Sequence, residues 1–372
     1  MSRREFEHAL VIGKFMPPHE GHLYLIRTAL LHCRRVTVLV LATSTERMDV
    51  HLRAEWLREC FAGDQSLRVV TATDDVPVDF GDAELWRAHV SVMRDALERD
   101  DAARGASAAP IDVVFSAETY GAELARQFGA RHVLLDPARV LHPVSGSLVR
   151  ADLPVHWTQL PPPVRAGLAF RVVVIGAEST GTTTLAVALR DALKARGGVW
   201  ERTDWVAEYG REYSVNLLAV ARATNPGAAP TDVQWTEADF VHIAEVQTAR
   251  EQEAARHGSP VLVCDTDALA TCVWHERYRG SSSAPLVQVA STMPPRALYL
   301  LTDVHAVPFE DDGLRDGEHL RSWMTERFVE VLTASGVPWH LVTGSPSERL
   351  AAALRHVDDA LPAWWARLGV AP

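Results

Sequence analysis

The sequence is short of positive charge and of paired cysteines, and it holds no long hydrophobic run; each shortage closes off a class of function. Lys and Arg number 37 against 48 Asp and Glu, a formal net charge of -11. A general nucleic-acid binder neutralises phosphates with a surplus of Lys and Arg, so no nucleic-acid partner is expected. Anionic substrates must then be held by local basic groups. Cys33, Cys60, Cys264 and Cys272 form no Cys-x-x-Cys pair, which fits buried thiols or a reducing compartment. The first eight residues are charged and no apolar stretch approaches bilayer length, so the expectation is a cytoplasmic protein with no membrane span.

With 47% hydrophobic and 23% charged residues the composition is that of an ordinary globular protein, and 372 residues is long for one core. Two domains are expected.

The chain is organised around residues 9–22. An apolar run, 9–12, ends at Gly13, and Phe15, Pro17, His19, Gly21 and His22 follow at fixed spacing before an amphipathic stretch, 23–31. That reads as a strand, a tight turn and a helix start. His19 and His22 at a helix N-terminus lie beside free backbone N–H groups and the positive end of the helix dipole, where a polyphosphate is stabilised. A zinc site is not expected: the two are i, i+3 rather than i, i+4, and no third ligand stands nearby.

Strand-like and helix-like runs alternate through residue 157: strands at 36–41, 67–71, 112–116 and 133–135, helices at 53–61 and 83–98, and a small-residue connection at 104–110. Alternation of this kind predicts βαβ units on a parallel sheet with ligands at the carboxyl ends of the strands. Residues 144–150 then place Ser145 or Ser147 to cap a short helix, with Arg150 a turn later and a charge suited to phosphate oxygens.

Together, the Gly-x-Phe-x-Pro-x-His-x-Gly-His run from Gly13 to His22 and the Ser-x-Ser-x-x-Arg segment resemble the nucleotidyltransferase superfamily. The resemblance implies that ATP is attacked at its α-phosphorus and pyrophosphate leaves, with no covalent enzyme intermediate. It assigns His19 and His22 to transition-state charge, Lys14 and Arg150 to the triphosphate, and Ser145 and Ser147 to hydrogen bonds at the helix start, with Gly13 and Phe15 part of the ATP loop.

Pro161, Pro162 and Pro163 read as a stiff extended linker. A strongly apolar strand, 170–175, then leads into Gly176-Ala177-Glu178-Ser179-Thr180-Gly181-Thr182-Thr183-Thr184 and a helix at 185–193. This is a phosphate-binding loop in strand–loop–helix context, with Gly176, Gly181 and Thr183 in register. Its backbone N–H groups, with Ser179 and Thr184, can cradle phosphate, and Thr183 can reach Mg²⁺. Thr182 stands where the motif has lysine, so the cation that bridges the outer phosphates is missing.

Downstream, the strand 260–264 ends at Asp265, with Asp267 two residues on, a candidate magnesium-side carboxylate pair. Glu208, Arg211 and Tyr213 place a carboxylate and a guanidinium on neighbouring helical faces. After a strand at 298–302, the glycine-flanked segment 311–317 with Arg315 and Arg321 reads as a lid whose arginines close over the transferred phosphoryl group. A last strand, 337–342, and a closing helix, 348–361, complete the chain. Most of the 11 Trp, among them Trp200, Trp205, Trp235, Trp274 and Trp323, belong to cores, with one or two free to stack on a flat ring.

An adenylyltransferase-like module followed by a P-loop kinase-like module is similar to the NadR family, which joins nicotinamide mononucleotide adenylyltransferase to ribosylnicotinamide kinase. Glu208-Tyr209-Gly210-Arg211-Glu212-Tyr213, Asp312-Gly313-Leu314-Arg315-Asp316-Gly317 and Phe115-Ser116-Ala117-Glu118-Thr119-Tyr120-Gly121 add to the resemblance. It implies an α/β protein with a Rossmann-like nucleotidyltransferase domain over 1–158, a Pro-rich linker at 159–168 and a P-loop domain over 169–372. It implies two reactions: ATP phosphorylates nicotinamide riboside, and a second ATP adenylylates the mononucleotide to NAD. His19, His22, Arg150, Glu208 and Asp265 are then the catalytic candidates, Mg²⁺ is held through the nucleotide by Thr183 and Asp265, and ATP is co-substrate. Some family members carry an N-terminal helix-turn-helix and repress transcription; the first strand here begins within ten residues of Met1, so DNA binding is not expected. Two alternatives stay open: a transferase for another phosphorylated substrate, and a second domain that senses nucleotide without turnover. A homo-oligomer is compatible with either.

Overall fold

Two five-stranded parallel sheets, each wrapped by helices, make up the computed structural model, which describes residues 5–370 apart from 80, 107–108, 306 and 311. The charged first four residues, two residues of the 104–110 connection and Asp311 of the expected lid lie outside the described residues. The chain divides into two compact units, Met1–Val164 with Trp365–Pro372, and Arg165–Trp364.

In the first unit, strands β1 (Phe6–Gly13), β2 (Cys33–Ala42), β3 (Leu67–Thr73), β4 (Val113–Ser116) and β5 (Arg131–Leu134) lie in the order β3-β2-β1-β4-β5. The helices are α1 (Glu20–His32), α2 (Val50–Cys60), α3 (Ala83–Ala103), α4 (Gly121–Phe128), α5 (Gly146–Ala151) and α6 (Leu153–His156), and the division between the units falls within α7 (Pro162–Leu168). Side chains alternate across the sheet. Ala9, Val11, Val36, Val38 and Phe115 pack under Leu23, Ile26, Ala29 and Leu57 of α1 and α2. Leu10, Leu39, Val70 and Val114 face Trp86, Val90, Met93 and Leu124 of α3 and α4. Burial on both faces is why these strands read as unbroken apolar runs. β1 pairs with β2 on one side and β4 on the other, so the strand order reverses beside Gly13, the place where such sheets bind ligands.

The second unit repeats the layering with a different order. Strands β6 (Phe170–Ile175), β7 (Asp204–Val206), β8 (Val261–Asp265), β9 (Leu298–Thr302) and β10 (Trp339–Val342) run β10-β9-β6-β8-β7. All six residues of β6 are buried, each such Val or Ile contributing about 1.5–3 kcal/mol. Its helices are α8 (Thr182–Lys194), α9 (Tyr209–Thr224), α10 (Glu237–His257), α11 (Ala268–Arg279), α12 (Ala284–Thr292), α13 (Arg321–Ser335) and α14 (Pro346–Arg367). No helix among the described residues is long and apolar enough to cross a membrane.

Two expectations are corrected here. The three prolines do not form an extended linker: Pro162 and Pro163 open α7, because the first turn of a helix needs neither their N–H groups nor a φ other than theirs. Asp267 is not a magnesium-side carboxylate. It is fully buried, caps α11 by accepting from the Ala270 amide at 3.0 Å, and takes the Tyr299 hydroxyl at 2.6 Å and Arg296 Nε at 3.1 Å. Arg296 also meets the buried Glu251 at 2.5 Å, so this is a paired charge cluster inside the unit.

Two candidate phosphate-binding sites

The first site grows from the turn after β1. His19 is the N-cap of α1 and His22 its third residue; their rings stack at 3.6 Å and 24°, and His22 rests on Phe15 at 4.7 Å. The His19 amide donates to His22 Nδ1 at 3.3 Å, so neutral His22 carries its proton on Nε2. His19 is buried, and neither of its ring nitrogens has a hydrogen-bond partner among the described residues. Burial pushes its pKa down to about 3, helped by the charges of Arg139 and His142. Burial, His19 and Arg139 hold His22 well below its ordinary value. Both imidazoles are therefore neutral, and buried nitrogens without partners next to a helix N-terminus suit an incoming anion.

A cavity of about 300 Å³ opens here, lined by Gly13, Lys14, His19, His22, Ser145 and Gly146 among others. Lys14 pairs with Glu46 at 2.8 Å, and the buried Arg53 takes the other Glu46 oxygen at 2.9 Å. Ser145 caps α5, accepting from the Leu148 amide at 3.2 Å. Arg150 and Ser147 do not line the cavity. Arg150 Nη1 instead donates to the Met16 carbonyl at 2.6 Å and Nη2 to Ser147 Oγ at 3.4 Å, so that arginine fastens α5 to the turn carrying the histidines. Phe15 supports His22 from below.

The sequence reading passed over Arg139, His142 and Asp136, which line the same cavity from the turn after β5. Asp136 shapes that turn by accepting the amides of Val140 at 2.7 Å and Leu141 at 3.0 Å. Arg139 meets Glu118 of the Ser116–Ser-x-Glu region at 2.5 Å. A loop arginine has no periodicity to mark it; its place at the carboxyl end of a strand was the available signal.

The second site surrounds the loop between β6 and α8. Positive φ at Ser179 (56°) and Gly181 (83°) curls the backbone over the N-terminus of α8. Only glycine fits at 176: a Cβ there would stand 2.1 Å from Thr302 Oγ1 and 2.5 Å from Thr180 Oγ1. Thr183 Oγ1 donates to Asp265 Oδ2 at 2.6 Å. Burial raises Asp265 to about 6, and burial together with Asp265 raises Glu208, at the head of α9, to about 7. Thr183 and Asp265 form a hard oxygen pair that fits Mg²⁺ arriving with a nucleotide; among the described residues no cluster of three or more His, Cys, Asp or Glu could hold a metal by itself.

The cavity here is about 370 Å³. Gly176, Ser179, Thr182, Thr183, Asp265, Glu208, Arg211 and Arg315 line it together with Trp235, Phe240, Trp274 and Tyr278; Arg277, bound to Glu178 of the loop, lies over the Trp274 ring at 5.1 Å and the Tyr278 ring at 4.7 Å. Trp235 lies 5.1 Å from Phe240 and 5.3 Å from Tyr278, and Trp274 stacks near Tyr278 at 6.4 Å. Of the five tryptophans named from the sequence, Trp235 and Trp274 thus reach a cavity wall. Gly181 and Thr184 do not line it, nor does Tyr213, whose hydroxyl donates to Asp239 at 2.7 Å.

Of the two lid arginines, Arg315 lines the cavity and Arg321 does not. Arg321 is buried at the start of α13 and donates to the carbonyls of Val307 at 3.1 Å and Ser179 at 3.2 Å. It supports the phosphate loop from outside, because a helix-start arginine aimed at bare carbonyls is satisfied there. Residues of the lid are tied to the loop directly: the Gly317 amide donates to Glu178 at 2.9 Å, and Arg277 joins Glu178 to Asp316.

The folds and loops together define the class: an α/β protein in which a Rossmann-like sheet is followed by a P-loop sheet. Residues 171–349 match the family model described as an AAA domain. Two curated relatives, each called trifunctional NAD biosynthesis/regulator protein NadR, are 24% identical: that of Salmonella typhimurium over 84% of this chain and 72% of its own length, and that of Escherichia coli over 82% and 71%. A solved NadR protein in complex with NR superposes with TM-score 0.63 at 17% identity, covering 95% of this chain and 96% of that one. Another, in complex with NAD and AMP-PNP, gives 0.62 at 16%, covering 96% and 98%. The chain is a distant NadR-like protein.

Proposed function

We propose that this chain makes NAD in two ATP-dependent steps, one in each unit. In the second cavity the γ-phosphoryl group of ATP passes to the 5′-hydroxyl of nicotinamide riboside, giving ADP and the mononucleotide, and the hydroxyl proton goes to Glu208. In the first cavity the mononucleotide phosphate attacks the α-phosphorus of a second ATP, giving NAD and pyrophosphate. The observation that carries the reading is that one cavity brings together a phosphate loop, a set of aromatic rings and a carboxyl with a raised pKa. Trp235 and Trp274 suit a flat pyridinium ring, whose positive charge an aromatic face attracts. Mg²⁺ held by Thr183 and Asp265 with the nucleotide would neutralise phosphate charge.

In the first site the work is positioning and charge stabilisation. His19 and His22 offer ring N–H groups to the triphosphate. Lys14 lines the cavity, and Arg150 holds the turn that presents both histidines. The names of the relatives, which include NAD biosynthesis, and the NR, NAD and AMP-PNP bound by the solved NadR proteins, support the choice of pyridine nucleotides.

Thr182 favours a second reading, in which the P-loop unit binds nucleotide and regulates without turnover. Parallel reactions decide between them. With Mg²⁺-ATP, nicotinamide riboside should yield ADP, pyrophosphate and NAD, and the mononucleotide should yield NAD and pyrophosphate. NAD from the mononucleotide alone selects the regulatory reading. No NAD from either rejects the pyridine nucleotide, and His22→Ala, expected to remove NAD formation while the chain stays folded, checks the histidine assignment.

A further inference from the structure

Thr182 leaves the phosphate loop without its ammonium, and no lysine can replace it. The chain has two, Lys14 in the first unit and Lys194 at the far end of α8, about 18 Å along the helix from Thr182. A substitute cation must be an arginine. Among the described residues, Arg211, Arg277, Arg315, Arg321 and Arg349 reach the loop or the cavity. Three are committed elsewhere. Arg277 is held by Glu178 and Asp316, Arg321 by the Val307 and Ser179 carbonyls, and Arg349 by the carbonyls of Thr180, Asp303 and Gly344.

Arg211 and Arg315 remain, and both face the cavity. Arg211 is paired with Asp312; both arginines act on the Glu208 carboxyl, and the Arg211 charge acts on Asp265 as well, which places it on the metal side. Arg315 stands on the loop itself: its Nη1 donates to Ser179 Oγ at 2.8 Å and to the Glu310 carbonyl at 2.8 Å. Its carboxylate neighbours are loose, Asp312 at 3.5 Å and Glu310 at 3.7 Å, and phosphate oxygens compete well with exposed carboxylates for a guanidinium fork.

We propose that Arg315 is the missing cation of the phosphate loop, its guanidinium bridging the outer phosphates of the bound nucleotide in place of the lysine that Thr182 replaces. The inference rests on the kinase reading of the second cavity. As the bond from the γ-phosphorus to the ADP oxygen breaks and the bond to the riboside oxygen forms, Arg315 takes up the charge that collects on the leaving oxygen, and the proton leaves to Glu208. The loop lost its lysine without losing a positive charge, because the charge arrives from the segment after β9 through Ser179.

The test is a cross-complementation in the full chain, following ADP formation from Mg²⁺-ATP and nicotinamide riboside. Arg315→Ala should lower kcat by roughly 10²–10³ and leave KM for the riboside unchanged. Adding Thr182→Lys to that variant should restore at least about tenfold. An arginine that merely fastens Ser179 could not be replaced by an ammonium at the start of α8, so a double variant no faster than Arg315→Ala, or an Arg315→Ala chain with normal kcat, overturns the proposal. If the unaltered chain forms no ADP from riboside, the kinase reading fails instead, and calorimetric binding decides the cation. In a His22→Ala background, Arg315→Ala should then weaken MgATP about tenfold or more and AMP not at all; equal loss for both overturns it.

Discussion

Glu208 carries a pH dependence that can be worked out from its surroundings. Burial, and then the Asp265 charge, lift its carboxyl from 4.5 to about 7. The base proposed for riboside phosphorylation must be ionised, so kcat/KM for that step should rise about tenfold per pH unit up to roughly pH 7 and then level. Stability moves the other way. Between 4.5 and about 7 the folded chain holds a proton that the unfolded chain has released, so the contribution present below 4.5 is lost as pH rises through 7. Glu208→Gln should cost roughly 10²–10⁴ in rate, flatten both limbs, and spare NAD formation from the mononucleotide. A pH–rate profile of that variant with the limb still at 7 would assign the ionisation to another group, Asp265 being the neighbour to examine.

At the scale of elements, the strand–loop–helix unit around β6 and α8 depends on one close approach. Gly176→Ala puts a methyl group 2.1 Å from Thr302 Oγ1, and the buried Thr180–Thr302 hydrogen bond of 2.6 Å leaves neither hydroxyl room to move. Overpacking of this kind costs about 1–3 kcal/mol, so a thermal melt should shift down by about 2–4 °C per kcal/mol for a unit of this size. ADP formation should fall with it, and an unchanged melting curve would show that the crowding relaxes. Such glycines were legible in the sequence because a phosphate loop needs them at fixed spacing, and the two parallel sheets were legible because strands buried on both faces read as apolar runs between amphipathic helices. What escaped was long-range. Asp267 looked like the partner of Asp265 until Arg296 and Tyr299, some thirty residues on, took its oxygens. Arg321 looked like a lid residue until it met carbonyls of the loop, and α7 was hidden by prolines that suit a helix start as well as an extended chain.

Across the whole molecule, each cavity is complete within its own unit: every wall residue of the first lies between Ile12 and Gly146, and every one of the second between Val174 and Phe328. Among the described residues each cavity is lined from its own unit alone, so the two half-reactions should separate cleanly. A His22→Ala chain should still phosphorylate the riboside, and an Asp265→Asn chain, which loses the partner of Thr183 and the proposed magnesium ligand, should still adenylylate the mononucleotide. Mixed together, the two variants should make NAD from riboside after a lag, because mononucleotide released by one chain is an ordinary substrate for the other. Shortening of that lag as the second variant is added in excess would identify the free intermediate as what limits it. If each variant keeps its own half-reaction and the mixture still yields no NAD, the mononucleotide does not leave the chain that makes it, and the independence argued from the cavity walls is wrong.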